Sequence, residues 1–238
     1  MSRRGSLGEM LWPDDEESRS QAVVWAKSIV EQALDLVWSG FEQMVANELK
    51  EGPNLGALHP EQLERELTQW HADAVTTLWA QKTCGYASFI PSHEMHEFES
   101  RKGGKAMPPS YDLGFVHRQC KRWKLPVEAK ILTSSAALAG YLGDIQKKYL
   151  PGVAAPWVGE CGMIGYLLSG LAEEAFVVLQ ERLKQQLMCI ESFKDRKHRT
   201  TEHMRLKAPM LRIHHMVMSC VPPSCQQGMQ ARKRRRPK

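Results

Sequence analysis

Several things are scarce or missing in this chain. No window reaches the ~18 uninterrupted apolar residues a membrane-spanning helix requires, so no such span is expected. The opening residues, MSRRGSLGEMLWPDDEES, lack the apolar stretch of a secretory signal. Six cysteines, at 84, 120, 161, 189, 220 and 225, show no dense spacing, which argues against a disulfide framework. The expectation is reduced thiols in a cytoplasmic protein. There is no internal repeat and no compositional sign of wholesale disorder, since 42% of residues are hydrophobic and 25% charged.

Charge of one sign is also lacking over most of the chain. The formal net charge is +5, but six of the last seven residues, Arg232 to Lys238, are basic, which leaves the remainder at −1. Such a run reads as a solvated tail with sequence-independent affinity for phosphate backbones. At 238 residues the chain can bury one substantial core. The expected organisation is a flexible N-terminus over 1–18, a helical segment over 19–83, an α/β core over 84–221 and a basic tail over 222–238.

Apolar residues spaced by three and four between Val23 and Val45 predict an amphipathic helix, stopped by Glu51-Gly52-Pro53-Asn54. A second helix starts near Pro60 and carries Leu63, Leu67, Trp70, Ala74 and Leu78. Tyr86 to Ile90 reads as a short strand, and Pro91 to Ser110 as a long polar loop. Tyr111–His117 and Leu125–Leu132 then read as a hairpin joined by a basic turn. Thr133-Ser134-Ser135 offers a cap for a helix running from Ala136 to Tyr149 and ended by Pro151-Gly152. Gly162 to Leu168 reads as a strand, Leu171 to Met188 as a helix, Lys194 to Lys207 as a charged linker and Pro209 to Val221 as a last strand. The fold class expected is α/β, a mixed central sheet flanked by helices.

The chemistry concentrates in Pro109-Ser-Tyr-Asp112 and Leu125-Pro-Val-Glu128-Ala-Lys130-Ile-Leu. Side chains alternate along a strand, so Glu128 and Lys130 share a face while Ala129 joins Val127 and Ile131 on the other. A charged pair within an apolar strand is costly to bury without a partner or a metal. Fifteen residues separate Asp112 from Glu128, enough for two short strands and a turn that bring both carboxylates to one edge.

An Asp on one strand followed by Glu-x-Lys on the next resembles the PD-(D/E)XK, or restriction-endonuclease-like, nuclease superfamily, over about residues 60–170. The resemblance implies a restriction-endonuclease-like core and a Mg²⁺- or Mn²⁺-dependent nuclease hydrolysing phosphodiester bonds. The substrate implied is DNA, with RNA as the rival, in the setting of a defence or restriction system. It makes Asp112 and Glu128 metal ligands, the Ala129 carbonyl a third, and Lys130 the electrostatic catalyst, roles that suit hard oxygen ligands and a fixed cation. Many members add an acid from the preceding helix; Glu64, Glu66 and Asp73 are the candidates here, with Glu66 preferred. The helix after the hairpin, with Tyr141, Asp144, Gln146, Lys147 and Lys148, is where members often place a substrate contact. The alternative from another class is a catalytically silent module that binds nucleic acid or a partner protein. A homodimer or a partner within a multi-component system fits either reading.

For nucleic-acid contact the candidates are Arg118, Lys121, Arg122, Trp123 and Lys124 in the hairpin turn, with Lys147 and Lys148 beyond it. An aromatic among basic residues can stack on a base while its neighbours follow the backbone; a basic turn with a half-buried Trp is the plainer account. His93, Glu94, His96 and Glu97 could ligate zinc but suit a solvated loop better. Cys220 and Cys225, with His214 and His215 upstream, make a weak zinc pattern. Alternation from Leu211 to Met218 predicts that one of His214 and His215 is buried and satisfied.

Overall fold

The computed structural model describes residues 16–50, 58–82, 88–96, 110–118, 123–155, 158–205 and 210–220. Among them the two long amphipathic patterns form helices α1 (Glu16–Asn47) and α2 (Pro60–Lys82). The helix α1 begins at Glu16, inside the stretch expected to be flexible. Leu34, Val37, Leu67 and Val75 are fully enclosed between these helices and the sheet. Burying each such side chain is worth about 1.5–3 kcal/mol.

Six strands make one sheet: β1 (Phe89–His96), β2 (Ser110–His117), β3 (Lys124–Leu132), β4 (Glu160–Leu167), β5 (His198–His203) and β6 (Leu211–Ser219). Their order is β1-β2-β3-β4-β6-β5. β1 to β3 run antiparallel, β3, β4 and β6 run parallel, and β5 closes the far edge antiparallel to β6. This is the expected mixed sheet. The crossover from β3 to β4 carries α3 (Ala139–Asp144), and α4 (Ala172–Leu183) follows β4. One face of the sheet packs against α1 and α2 through Val127, Ala129, Ile164 and Tyr166. The other packs against α3 and α4 through Leu132, Met163, Leu167 and Ile213.

Two expected loops are strands. The supposed loop from Pro91 holds β1 as far as His96, and the supposed linker 194–207 holds β5. In β1 the buried residues are Phe89, Pro91 and Met95, and the polar run Ser92-His93-Glu94 between them breaks the alternation; in β5 the buried side chains are themselves polar, so hydropathy is silent. In β5, His198, Thr200, Thr201 and His203 are all buried; His198 bonds to His214, and Thr201 to His203 and His215. The chain from 97 to 109 lies outside the described residues.

The helix expected over 136–149 also differs. The Ser134–Ser135 hydroxyls do not cap it: Leu138 stands at the N-cap with no side-chain bond, and Ser135 Oγ donates instead to Glu174 at 3.0 Å. α3 starts at Ala139 and passes into a π-helical turn, Ile145–Tyr149. There the Leu150 amide donates to the Ile145 carbonyl at 2.9 Å, closing one residue late. α4 stops at Leu183, short of Met188, because Lys184 takes a left-handed φ of 54°. Among the described residues no helix is long and apolar enough to cross a membrane.

Candidate functional site

The antiparallel register of β2 and β3 runs from Val116↔Lys124 to Leu113↔Val127 and then lapses. Beyond that point the outer edge of β3 faces side chains instead of a strand. The Ala129 amide donates to Asp112 Oδ2 at 2.7 Å, and the Ile131 amide donates to Glu64 Oε2 at 3.1 Å. Two carboxylates therefore satisfy backbone donors that a continued ladder would have used. The same gap lets α2 approach β3, so the site lies where the hairpin opens.

α2 is fixed in that approach by His71. Its Nε2 bonds the Val37 carbonyl at 2.7 Å and its Nδ1 pairs with the Tyr166 hydroxyl at 2.9 Å, tying α1, α2 and β4 together. Burial holds the imidazole neutral, with its pKa lowered to about 4. Glu64 lies two turns before His71 on the same helix face, and so is directed at β3.

Glu64 Oε1 accepts from Lys130 Nζ at 2.9 Å. The Lys130 ammonium also lies 3.4 Å from Glu128 Oε1 and 3.4 Å from Asp144 Oδ2. Lys148 Nζ is 2.9 Å from Glu128 Oε1 and 3.0 Å from Asp144 Oδ1. Four carboxylates, Glu64, Asp112, Glu128 and Asp144, thus surround two ammonium groups, an excess of two negative charges when all are ionised. Only 6% of the Glu128 side chain is exposed, against 20% for Lys130 and 39% for Lys148.

The electrostatics follow from that enclosure. Burial, then the negative charge of Asp112, pushes the Glu128 carboxyl up to about 7 against the pull of Lys130 and Lys148. Burial likewise raises Asp112, opposed by the Ala129 amide and Lys130. Burial works against a charged Lys130, but Glu128, Asp112 and Glu64 outweigh it and hold the ammonium protonated far above the ordinary lysine value. Lys148 moves up in the same way against burial, through Glu128 and Asp144. Asp144 is held below the usual carboxylate range, because its bond to Lys148 and the charges of both lysines overcome burial.

The structure brings Asp112, Glu128 and Lys130 together, and the Ala129 side chain turns to the opposite, apolar layer with Val127. It does not bring Glu66 to them. Glu66 Oε1 accepts from Gln62, and Asp73 accepts from Gln69, both on the outer side of α2. The helix acid at the site is Glu64. Asp144 completes the cluster from the start of the π-helical turn, and its Oδ2 is closed off from solvent without a hydrogen-bond donor.

The donor set fits a hard divalent cation of the Mg²⁺ or Mn²⁺ kind: carboxylate oxygens of Asp112 and Glu128, desolvated and mutually repelling, beside the Ala129 backbone. Among the described residues no three His, Cys, Asp or Glu side chains converge as a closed metal cage would demand. A pair of carboxylates and a carbonyl does not need such a cage.

The basic candidates divide. Lys148 joins the carboxylate cluster, while Lys147 faces solvent one residue away. The Arg118 guanidinium lies 5.5 Å over the Trp79 ring, and Trp123 meets His117 edge-on at 6.1 Å, packed against the core. Lys124 begins β3 opposite Val116. Lys121, Arg122, Cys225 and the basic tail lie outside the described residues.

Both His214 and His215 are buried and bonded, where one was expected. Trp38 Nε1 donates to His198 Nδ1 at 3.2 Å, His198 Nε2 pairs with His214 Nδ1 at 3.0 Å, and His214 Nε2 pairs with Glu160 Oε2 at 2.8 Å. This chain ends at a cavity of about 600 Å³ lined by Glu160, Glu202, Arg212 and the 185–191 segment. Comparison with protein-family models, with curated proteins and with solved structures finds no match for this chain.

Proposed function

We propose that this chain is a Mg²⁺- or Mn²⁺-dependent phosphodiesterase acting on nucleic acid, DNA before RNA, with a restriction-endonuclease-like core and Asp112, Glu128 and Lys130 at its active centre. The observation that carries the reading is the meeting of Asp112, Glu128 and Lys130 at the point where β2 leaves β3, in a cluster of four carboxylates and two ammonium groups. An apolar strand has no structural need for such a cluster, and a hard cation neutralises it.

Asp112, Glu128 and the Ala129 carbonyl are the residues to hold the metal. When bound there, the ion supplies polarisation of the scissile phosphate and a more acidic water. Lys130 needs no proton transfer to act: it stays an ammonium, and Glu64 holds it through a 2.9 Å hydrogen bond. A cation fixed in that way offsets charge that builds on the phosphate during attack and requires little reorganisation to do so. Asp112 is oriented in turn by the Ala129 amide. The setting in a defence or restriction system follows from fold analogy alone.

The test is purified protein incubated with supercoiled, linear and single-stranded DNA and with RNA, in Mg²⁺, Mn²⁺ or chelator. The expected result is cleavage that chelator abolishes and that Asp112→Asn also abolishes. Binding of nucleic acid with no metal-dependent cleavage of any of them would replace this reading with the silent binding module.

A further inference from the structure

Lys130 and Lys148 both contact Glu128 Oε1, at 3.4 and 2.9 Å, yet they are held differently. Lys130 lies in a strand, is 20% exposed and is also bonded to Glu64 at 2.9 Å. Lys148 sits on the π-helical turn with 39% of its side chain exposed, and its ammonium spans two carboxylates from different elements, Glu128 and Asp144. The flanking Ile145 and Tyr149 are fully buried, so the turn itself is anchored while Lys148 extends along the solvent side of the cluster. A π turn sacrifices regular helical hydrogen bonding and recurs where a side chain must be re-aimed. Here it aims an ammonium at Glu128 Oε1, a carboxylate that a cation held with Asp112 would need, and at Asp144 beside it.

We propose that Lys148 is a resident counter-ion of this cluster. Its ammonium pairs with both Glu128 and Asp144 in the metal-free protein, and a divalent cation gains the full charge of Glu128 only by displacing it. The released side chain, still protonated, is then available to a substrate phosphate. Lysine suits this role because it is a compact point charge on a flexible four-carbon stem. The free protein therefore binds its cation weakly, and takes it up more readily together with nucleic acid. The inference rests on the phosphodiesterase reading of the same site and adds how metal uptake is regulated.

The experiment is calorimetric titration of Mg²⁺ and Mn²⁺ into the metal-stripped full-length chain without nucleic acid, for wild type, Lys148→Met, Lys148→Arg and Lys147→Met. Lys148→Met keeps the aliphatic stem, and thermal melts confirm its folding. Its cation affinity should rise by ~10-fold or more, equivalent to about 1.4 kcal/mol. Lys148→Arg keeps the charge and should bind no more tightly than wild type. Lys147→Met makes the same change in net charge on an exposed neighbour and should shift affinity by less than ~3-fold, since exposed charges are screened. In single-turnover cleavage Lys148→Met should be slower than wild type even with cation saturating. Lys148→Met binding no tighter than wild type, or Lys147→Met giving an equal gain, would overturn the counter-ion. If the wild type still cleaves nucleic acid in that case, only the counter-ion is lost. If no variant binds a cation and none cleaves, the phosphodiesterase reading falls with it.

Discussion

Replacing Glu128 with glutamine should stabilise the metal-free protein, by an amount that grows with pH. In the fold the Glu128 carboxyl titrates near 7, raised first by burial and then by Asp112, whereas in the unfolded chain it returns to 4.5. Between those values the unfolded chain loses its proton first and therefore binds fewer protons than the native state, so stability falls as pH rises through this window. Above pH 7 the loss is complete. A displacement of this size corresponds to roughly 3 kcal/mol, at ~1.4 kcal/mol per unit. Glutamine copies the protonated carboxyl and removes the dependence, while Lys130 keeps its ion pairs with Glu64 and Asp144, and Lys148 keeps Asp144. At pH 8 Glu128→Gln should be more stable by roughly 2–3 kcal/mol, which is about 5–10 °C in Tm for a chain of this length. At pH 5, just above the unfolded value, the gap should shrink to about 1 kcal/mol or less. The assay is thermal melting in chelator from pH 5 to 8, read as variant minus wild type, so that the buried histidines common to both cancel. Saturating Mg²⁺ should reverse the order, because only the wild type holds the ion. A variant less stable than wild type at pH 8 would show an ionised, stabilising Glu128 and refute the reasoning.

Lys130→Met should lower the single-turnover cleavage rate by ~10²-fold, on the order of 3 kcal/mol, while nucleic-acid affinity changes far less. Near wild-type cleavage by the folded variant would remove Lys130 from the mechanism. Glu64→Gln should slow cleavage by ~10-fold through loss of the charge that fixes Lys130, whereas Glu66→Gln should stay within ~2-fold, an asymmetry scored by parallel kinetics. Removing Arg232–Lys238 should weaken nucleic-acid binding alike for all sequences and flatten the slope of log affinity against log salt. An unchanged slope would place the tail away from the phosphates.

The helices and the hairpin were legible because their apolar spacing is regular, and the Asp112 and Glu128-x-Lys130 pattern was legible because strand alternation fixes which side chains share a face. The helix acid is Glu64 and not the expected Glu66 because of where each falls on α2. Leu67, Thr68, His71 and Val75 define the buried stripe of α2, and Glu64 falls near its centre while Glu66 lies off it. A carboxylate in the middle of a buried stripe is the stronger signal, since it is tolerated only with partners. β5 was hidden because its burial is achieved by hydrogen-bonded histidines and threonines, which no hydropathy pattern reports. Asp144 joined the cluster through a π turn, and nothing in the Gly143-Asp144-Ile145-Gln146 sequence distinguishes that turn from an ordinary one.

The bonded histidines of β5 and β6 also set the order in which the molecule comes apart in acid. Burial, and then His214, keeps His198 neutral well below the ordinary imidazole range, and burial holds His215 near 3. Their contribution is present above pH 6.5 and drains away as pH falls, because the unfolded chain takes up protons that the fold refuses. β5 is an edge strand whose outer side carries a single bridge, Thr200 to Met188, and His198 links it to Trp38 in α1. Mild acid should therefore open β5 as a separate cooperative unit, exposing its amides to hydrogen exchange while the β3–β4 centre stays protected.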